Sequence, residues 1–276
     1  MASGLAGSCL RFPHRPLLPL PEGSPAIPTK TLSITTSDGT ADAFAAFPDD
    51  GGRHPGVLLY MDIIGLRPVL EERARELAAH GYYVLVPNIF YRHGPAPVVE
   101  LPEHVTAELR PELFAKLLPI AKEHTTERML RDAEAFVGFL TGQPEVADGP
   151  IGVIGYCMGA ALAVRTAAAH PQAVAAVAGF HPGGLVTDAP DSPHRIISSV
   201  TAEVHLGLAV NDLSPEAIEE LEKAMDGAGI EHTCETYPDT VHGFTMPDTD
   251  AFSVAGLQRH WDRLLPLLGR TLSGEE

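Results

Sequence analysis

Four short apolar runs set the fold: GVLLYM (56–61), YYVLVP (82–87), PIGVIG (150–155) and AVAAVAGF (173–180). A strand apolar at every position is buried on both faces, and such strands belong to parallel sheets covered by helices. Helical patterns fall between and after them. One is predicted over 67–80, closing at His80-Gly81 with glycine past the last turn. TTERMLRDAEAFVGFL (125–140) aligns Met129, Ala133, Phe136, Val137 and Leu140 on one face. MGAALAVRTAAAH (158–170) is a third helix. A fourth, over 214–229, separates the strands EVHLGLA (203–209) and EHTCETYP (231–238). A closing helix over 249–268 carries Phe252, Trp261, Leu264, Leu265 and Leu268. TLSITT and ADAFAAF flank Ser37-Asp38-Gly39, a hairpin signal. The alternation predicts an α/β domain over 30–276, with a mostly parallel sheet covered by helices on both faces.

Two stretches break the pattern. Residues 88–124 are cut by Pro95, Pro97, Pro102, Pro111 and Pro119 and give no regular period. Residues 1–29 are expected to form a proline-rich arm, extended or disordered. A formal net charge of −17 argues against a nucleic-acid partner, since phosphate binding needs a basic footprint. It also argues against an anionic membrane surface. No run approaches the roughly eighteen apolar residues of a transmembrane helix. Cys9, Cys157 and Cys234 are too scattered for a disulfide framework or a zinc site. The expectation is a cytoplasmic protein, monomer or homodimer, with no cofactor and no metal.

Cys157 stands where an apolar strand meets an Ala-rich helix, in the frame Gly155-Tyr156-Cys157-Met158-Gly159. A free cysteine packs well as a small buried hydrophobe. The frame suits something else, a nucleophile elbow whose central residue takes a strained backbone conformation between glycines. The thiol would then sit at a helix N-terminus, which favours thiolate. In such a sheet, ligands bind beyond the carboxyl ends of the strands. Asp212 follows the strand at 203–209 and His242 the strand at 231–238, on the same edge as Cys157. That order supplies a base for the thiol and an acid to orient the base.

With these motifs the chain resembles the dienelactone hydrolases of the α/β-hydrolase superfamily, across about residues 30–268. GYCMG is similar to that family's cysteine elbow, VNDLSP to its acid loop and YPDTVHGF to its histidine loop. YMDIIGLRP and VPNIFYR match the loops after the third and fourth strands. The resemblance implies a hydrolase that cleaves a small ester or lactone through a Cys157–His242–Asp212 triad and an acyl-enzyme. The oxyanion would be held by the backbone N–H groups of Ile63 and Met158.

Two positions depart from the family. Asp62 stands where its reference enzymes carry a glutamate that modulates the thiol. Of the two arginines that grip the substrate carboxylate, Arg92 fits the first, while the second aligns with Met246. A thioether cannot form a charged fork, so the pocket is expected to accept neutral small esters or lactones at least as well as acidic ones. Tyr60 and His181 are candidates to line the pocket, and His205 and Cys234 read as structural. The alternatives are a general carboxylesterase or thioesterase, a non-catalytic ligand-binding descendant of the fold, and a redox sensor built on Cys157.

Overall fold

The hairpin forms where the Asp-Gly signal puts it. In the computed structural model, which describes residues 27–272, β1 (Thr29–Thr36) pairs antiparallel with β2 (Gly39–Ala46) in a register ending at Thr36↔Gly39. Then come β3 (Gly56–Tyr60), α1 (Pro68–Ala79), β4 (Tyr83–Pro87), α2 (Arg110–Glu123), α3 (Thr126–Thr141), β5 (Ile151–Tyr156) and α4 (Met158–Ala169). They are followed by β6 (Val174–Phe180), α5 (Pro193–Ile196), β7 (Glu203–Leu208), α6 (Pro215–Ala228), β8 (His232–Thr236) and α7 (Val254–Leu272). The eight strands make one sheet in the order β1-β2-β4-β3-β5-β6-β7-β8. β2 pairs antiparallel with β4, and every later neighbour pair is parallel.

Strands β3, β4 and β5 are buried at every position, as their unbroken apolar runs require. Two glycines of β5 show which helices cover which face. A Cβ on Gly152 would meet Leu268 and Leu272 of α7, whereas one on Gly155 would meet Gly159 and Ala160 of α4. Residues an odd number apart on a strand point to opposite faces, so α7 and α4 lie on opposite sides. α1 shares the α7 side, where the Arg73 guanidinium lies 5.3 Å from the Trp261 ring. α3 packs beside α4.

The structure corrects the sequence reading in three places. Residues 88–124 are not irregular throughout, because α2 fills Arg110–Glu123. Pro111 sits in its first turn, where no amide donor is needed, and Pro119 faces solvent. The closing helix starts at Val254 rather than 249, since Thr249–Ala251 turn to bond residues 104–107. Residues 27–29 belong to the sheet domain rather than an arm: Ile27 packs on the core and the Pro28 carbonyl accepts from the Phe47 amide. The rest of the expected arm, with Cys9, lies outside the described residues.

A substitution pair tests the packing. At Gly155 an added Cβ would fall 1.9 Å from the Gly159 carbonyl oxygen, a backbone atom that cannot swing away. Gly155→Ala is expected to destabilise by upwards of about 3 kcal/mol in urea unfolding. At exposed Gly138 within α3 nothing lies within 4 Å. Gly138→Ala should instead stabilise by about 0.5–1 kcal/mol.

Candidate active site

Only one residue joins β5 to α4. Cys157 takes φ 55° and ψ −119°, with its amide donating to the Phe180 carbonyl (3.0 Å) and its carbonyl accepting from Gly183 (3.0 Å). The turn is this tight because both flanking glycines let backbone approach backbone. A Cβ on Gly159 would lie 2.7 Å from the Met61 carbonyl oxygen, just as one on Gly155 would strike Gly159.

Strands β7 and β8 end beside this turn and bring the other two residues. His242 Nε2 lies 3.1 Å from Cys157 Sγ, and its Nδ1 lies 2.7 Å from Asp212 Oδ1. The second Asp212 oxygen accepts from the Ala209 amide (2.6 Å), so this carboxylate, 1% exposed, is fully engaged. Burial works against charge on the His242 ring. Hydrogen bonds to Asp212 and Cys157 outweigh it and raise the pKa to about 10. Both contacts favour a proton on this ring, which lies between the carboxylate on one side and sulfur on the other.

The loop carrying His242 is tied down along its length. Arg73 donates to the Thr245 carbonyl (3.1 Å), His181 Nε2 lies 2.7 Å from Thr245 Oγ1, and the Val105 amide donates to the Asp248 carbonyl (2.8 Å). His181 is wholly buried, follows β6 with φ 38°, and meets His242 edge-on at 5.2 Å between centroids. Burial and the neighbouring His242 charge push its pKa well down, so it stands as a neutral ring.

A cavity of about 250 Å³ opens over Cys157 and His242. Asp62, Ile63, His181 and Met246 line it. Asp62 is not free to engage the thiol: Arg67 holds it by a fork of 2.7 and 3.0 Å, and the Ile64 amide donates to it at 2.9 Å. The Ile63 amide has no protein acceptor among the described residues, and Met158 opens α4 with its N–H outside the helical ladder.

Two expectations are corrected. Arg92 does not line this cavity. Asp132 (2.7 and 2.8 Å) and Asp38 (2.6 Å) bind it, and it fastens the β1–β2 hairpin to α3. Tyr60 is buried in the core with its hydroxyl 2.9 Å from Thr166 Oγ1 and stays out of the cavity. The outer wall comes instead from Val105, Arg110 and Phe114, around the helix that the proline pattern hides. An Arg-Pro pair opening a helix is the available signal. Arg110 stacks over Phe114 at 5.0 Å and has no carboxylate partner among the described residues.

The dienelactone hydrolase family model matches residues 41–272. The chain belongs to that family. The dienelactone hydrolase relatives include a protein of Methylorubrum extorquens provisionally named a carboxymethylenebutenolidase, 26% identical over 84% of this chain and 78% of its own. The carboxymethylenebutenolidase of Pseudomonas sp. strain P51 is 33% identical over 42% of this chain and 46% of its own. Among solved structures, a dienelactone hydrolase-like promiscuous phosphotriesterase from metagenomic libraries superposes with TM-score 0.76 at 21% identity, covering 90% of this chain and all of the other. The dienelactone hydrolase of Anabaena variabilis does so with TM-score 0.61 at 18% identity, over 89% and 99%. These neighbours carry the α/β-hydrolase fold, and family and relatives together make this chain a hydrolase acting on ester bonds. Among the described residues no helix is long and apolar enough to cross a membrane, and no group of side chains could hold a metal ion.

Thiol chemistry checks the electrostatics. Half-buried Cys234 has its pKa pushed up to about 12 by burial, so roughly one in 10⁴ of these thiols is ionised at pH 8. Iodoacetamide at that pH is expected to label Cys157 ahead of Cys234, with Cys234 unmodified after Cys157 is complete, as read by peptide mass spectrometry.

Proposed function

We propose that this dienelactone hydrolase-like enzyme cleaves a small ester or lactone by thiol nucleophilic catalysis. The observation that carries the reading is the unbroken chain from Cys157 Sγ to His242 Nε2 (3.1 Å) and from His242 Nδ1 to Asp212 (2.7 Å) at the floor of a small, mostly apolar cavity. Sulfur attacks the carbonyl carbon while the proton rests on His242. The new oxyanion is met by the Ile63 and Met158 amides, which act where charge develops. As the C–O bond breaks, His242 passes its proton to the leaving alkoxide, giving an alcohol and a thioester on Cys157. In a lactone that alcohol remains attached to the acyl group. Water, deprotonated by His242, then attacks the thioester, and the carboxylic acid leaves as sulfur returns to its paired state. Asp212 holds the imidazole in orientation and balances its charge throughout.

Cavity size limits the substrate to a small acyl group, and Met246, Ile63, Val105 and Phe114 favour an apolar one. With Arg92 committed to Asp132, and Met246 in place of the second arginine, neutral esters and lactones meet no penalty here. Arg110 is the remaining cation at the wall. A single charge-assisted contact contributes roughly 1.5–3 kcal/mol, or about one to two decades. Arg110→Ala is therefore expected to lower kcat/KM for a carboxylated lactone by about tenfold or more and to leave its methyl ester within about twofold.

The direct test is a panel of activated esters, lactones and thioesters. Cys157→Ala should abolish turnover. Asp212→Asn should fold normally and lose kcat by on the order of 10²–10⁴-fold, because the imidazole loses its orienting acid. Turnover by Cys157→Ala at the wild-type rate would overturn the proposal.

A further inference from the structure

The loop after β3 contains an arginine whose bonding has no place in the chemistry so far. Arg67 is 5% exposed, and every arm of its guanidinium is committed. Nη1 and Nη2 fork onto the Asp62 carboxylate (2.7 and 3.0 Å), and Nη1 also donates to the Gly65 carbonyl (3.0 Å). Nε and Nη2 reach Asp248 on the histidine loop (2.6 and 3.3 Å). Asp62 in turn accepts from the Ile64 amide, and the Gly65 amide donates to the Asp62 carbonyl (3.1 Å). Residues 62, 64 and 65 are thus pinned around one peptide, the one that presents the Ile63 N–H. The same cation fastens that turn to the segment that follows His242.

We propose that Arg67 is a positioning residue that holds the Ile63 amide, the oxyanion donor, in register with His242 by clamping Asp62 and Asp248 together. This rests on the reading of Cys157 as the nucleophile and Ile63 as a donor. A buried ion pair is weak evidence for stability, because the cost of drying both charges offsets their attraction. What the fork does supply is direction: a planar cation binding two carboxylates at fixed angles sets two loops against each other. Oxyanion stabilisation is sensitive to such placement, since a misplacement of about 1 Å can cost on the order of 10²-fold in rate. The fork also occupies the Asp62 carboxylate, so Asp62 acts as a strut for the turn, and sulfur keeps His242 as its partner.

The test separates the oxyanion donor from the thiol. Acylation by p-nitrophenyl acetate, followed as the nitrophenolate burst, needs the Ile63 amide. Alkylation of Cys157 by iodoacetamide is a displacement that forms no oxyanion. The double variant Arg67→Met/Asp62→Asn removes the cation without stranding the buried Asp62 carboxylate, and the side-chain carbonyl it leaves at position 62 can still accept from the Ile64 amide. Its acylation rate constant should fall about 10–100-fold, with the half-saturating ester concentration within about threefold and the alkylation rate within about twofold of wild type. Arg67→Lys keeps the charge but not the fork and should stay at least about fivefold slow in acylation. Acylation by the double variant within about twofold of wild type overturns the inference. So does an alkylation rate that falls in parallel with acylation, because Arg67 would then act on the thiol or the fold. If circular dichroism shows the double variant unfolded, Asp62→Asn carries the same two measurements with the same outcomes. Cys157→Ala separates the layers: a fully active Cys157→Ala sinks the underlying mechanism, whereas an inactive one beside an unaffected double variant sinks only the role of Arg67.

Discussion

The site depends on a backbone contact that only glycine permits. The space a Cβ would need on Gly155 is occupied by the Gly159 carbonyl, and the space it would need on Gly159 by the Met61 carbonyl. The first contact folds α4 back over the end of β5 and forces Cys157 into its positive-φ turn. The second presses the first turn of α4 against the residue just before Asp62 and Ile63. Cys157 and the loop that carries Ile63 are therefore fixed by one stack of backbone. The helix N-terminus, with its partial positive charge, comes with it.

Charge is managed around this stack in a way the net value of −17 does not suggest. Free carboxylates around the cavity would oppose an anionic intermediate. Each one at the site is instead engaged: Asp212 by His242 and the Ala209 amide, Asp62 by Arg67, Asp250 by His104 (2.9 Å) and the Ala107 amide (2.7 Å). Histidines are divided by the same logic. Burial drives His181, His205 and His260 toward the neutral form, His205 down to about 4. His242 alone of these four has a carboxylate bonded to its ring, and it is displaced the opposite way, to about 10. Of these four, His242 is the ring whose contacts favour a proton.

Legibility in the sequence follows the range of each interaction. Strand burial, the hairpin turn and the helix periodicities are local, and β1 to β8 stand within a few residues of where the patterns put them. The neighbourhood of Cys157, Asp212 and His242 is readable too, because chain order after successive parallel strands fixes which loops share an edge. What stays hidden is non-local. Nothing near Arg92 reveals that Asp132, on a helix forty residues on, captures it. Tyr60 looks the same in sequence whether it meets substrate or Thr166. Asp62 differs from a glutamate by one methylene, yet its role turns on Arg67, five residues away across a turn. α2 is missed when proline counts against a helix wherever it stands, in the first turn or facing solvent included.

That least legible segment also supplies the outer wall of the cavity. Val105, Arg110 and Phe114 line the cavity over Cys157 and His242, and Leu113 and Leu117 bury against Ile63 and Ile64 in a small cluster apart from the main core. The wall meets the rest of the site in two places. One is this cluster, against the loop that carries Ile63. The other is the bridge from Val105 to Thr249, on the histidine loop. Neither contact is made by a strand of the sheet. Solved neighbours that keep the architecture at 18–21% identity are consistent with a scaffold whose geometry is insensitive to most of its side chains. On the proposed reading, specificity lies on a wall held by apolar contacts, the Val105 bridge and the Asp250 bonds to His104 and Ala107, while the chemistry lies on backbone that tolerates almost no change.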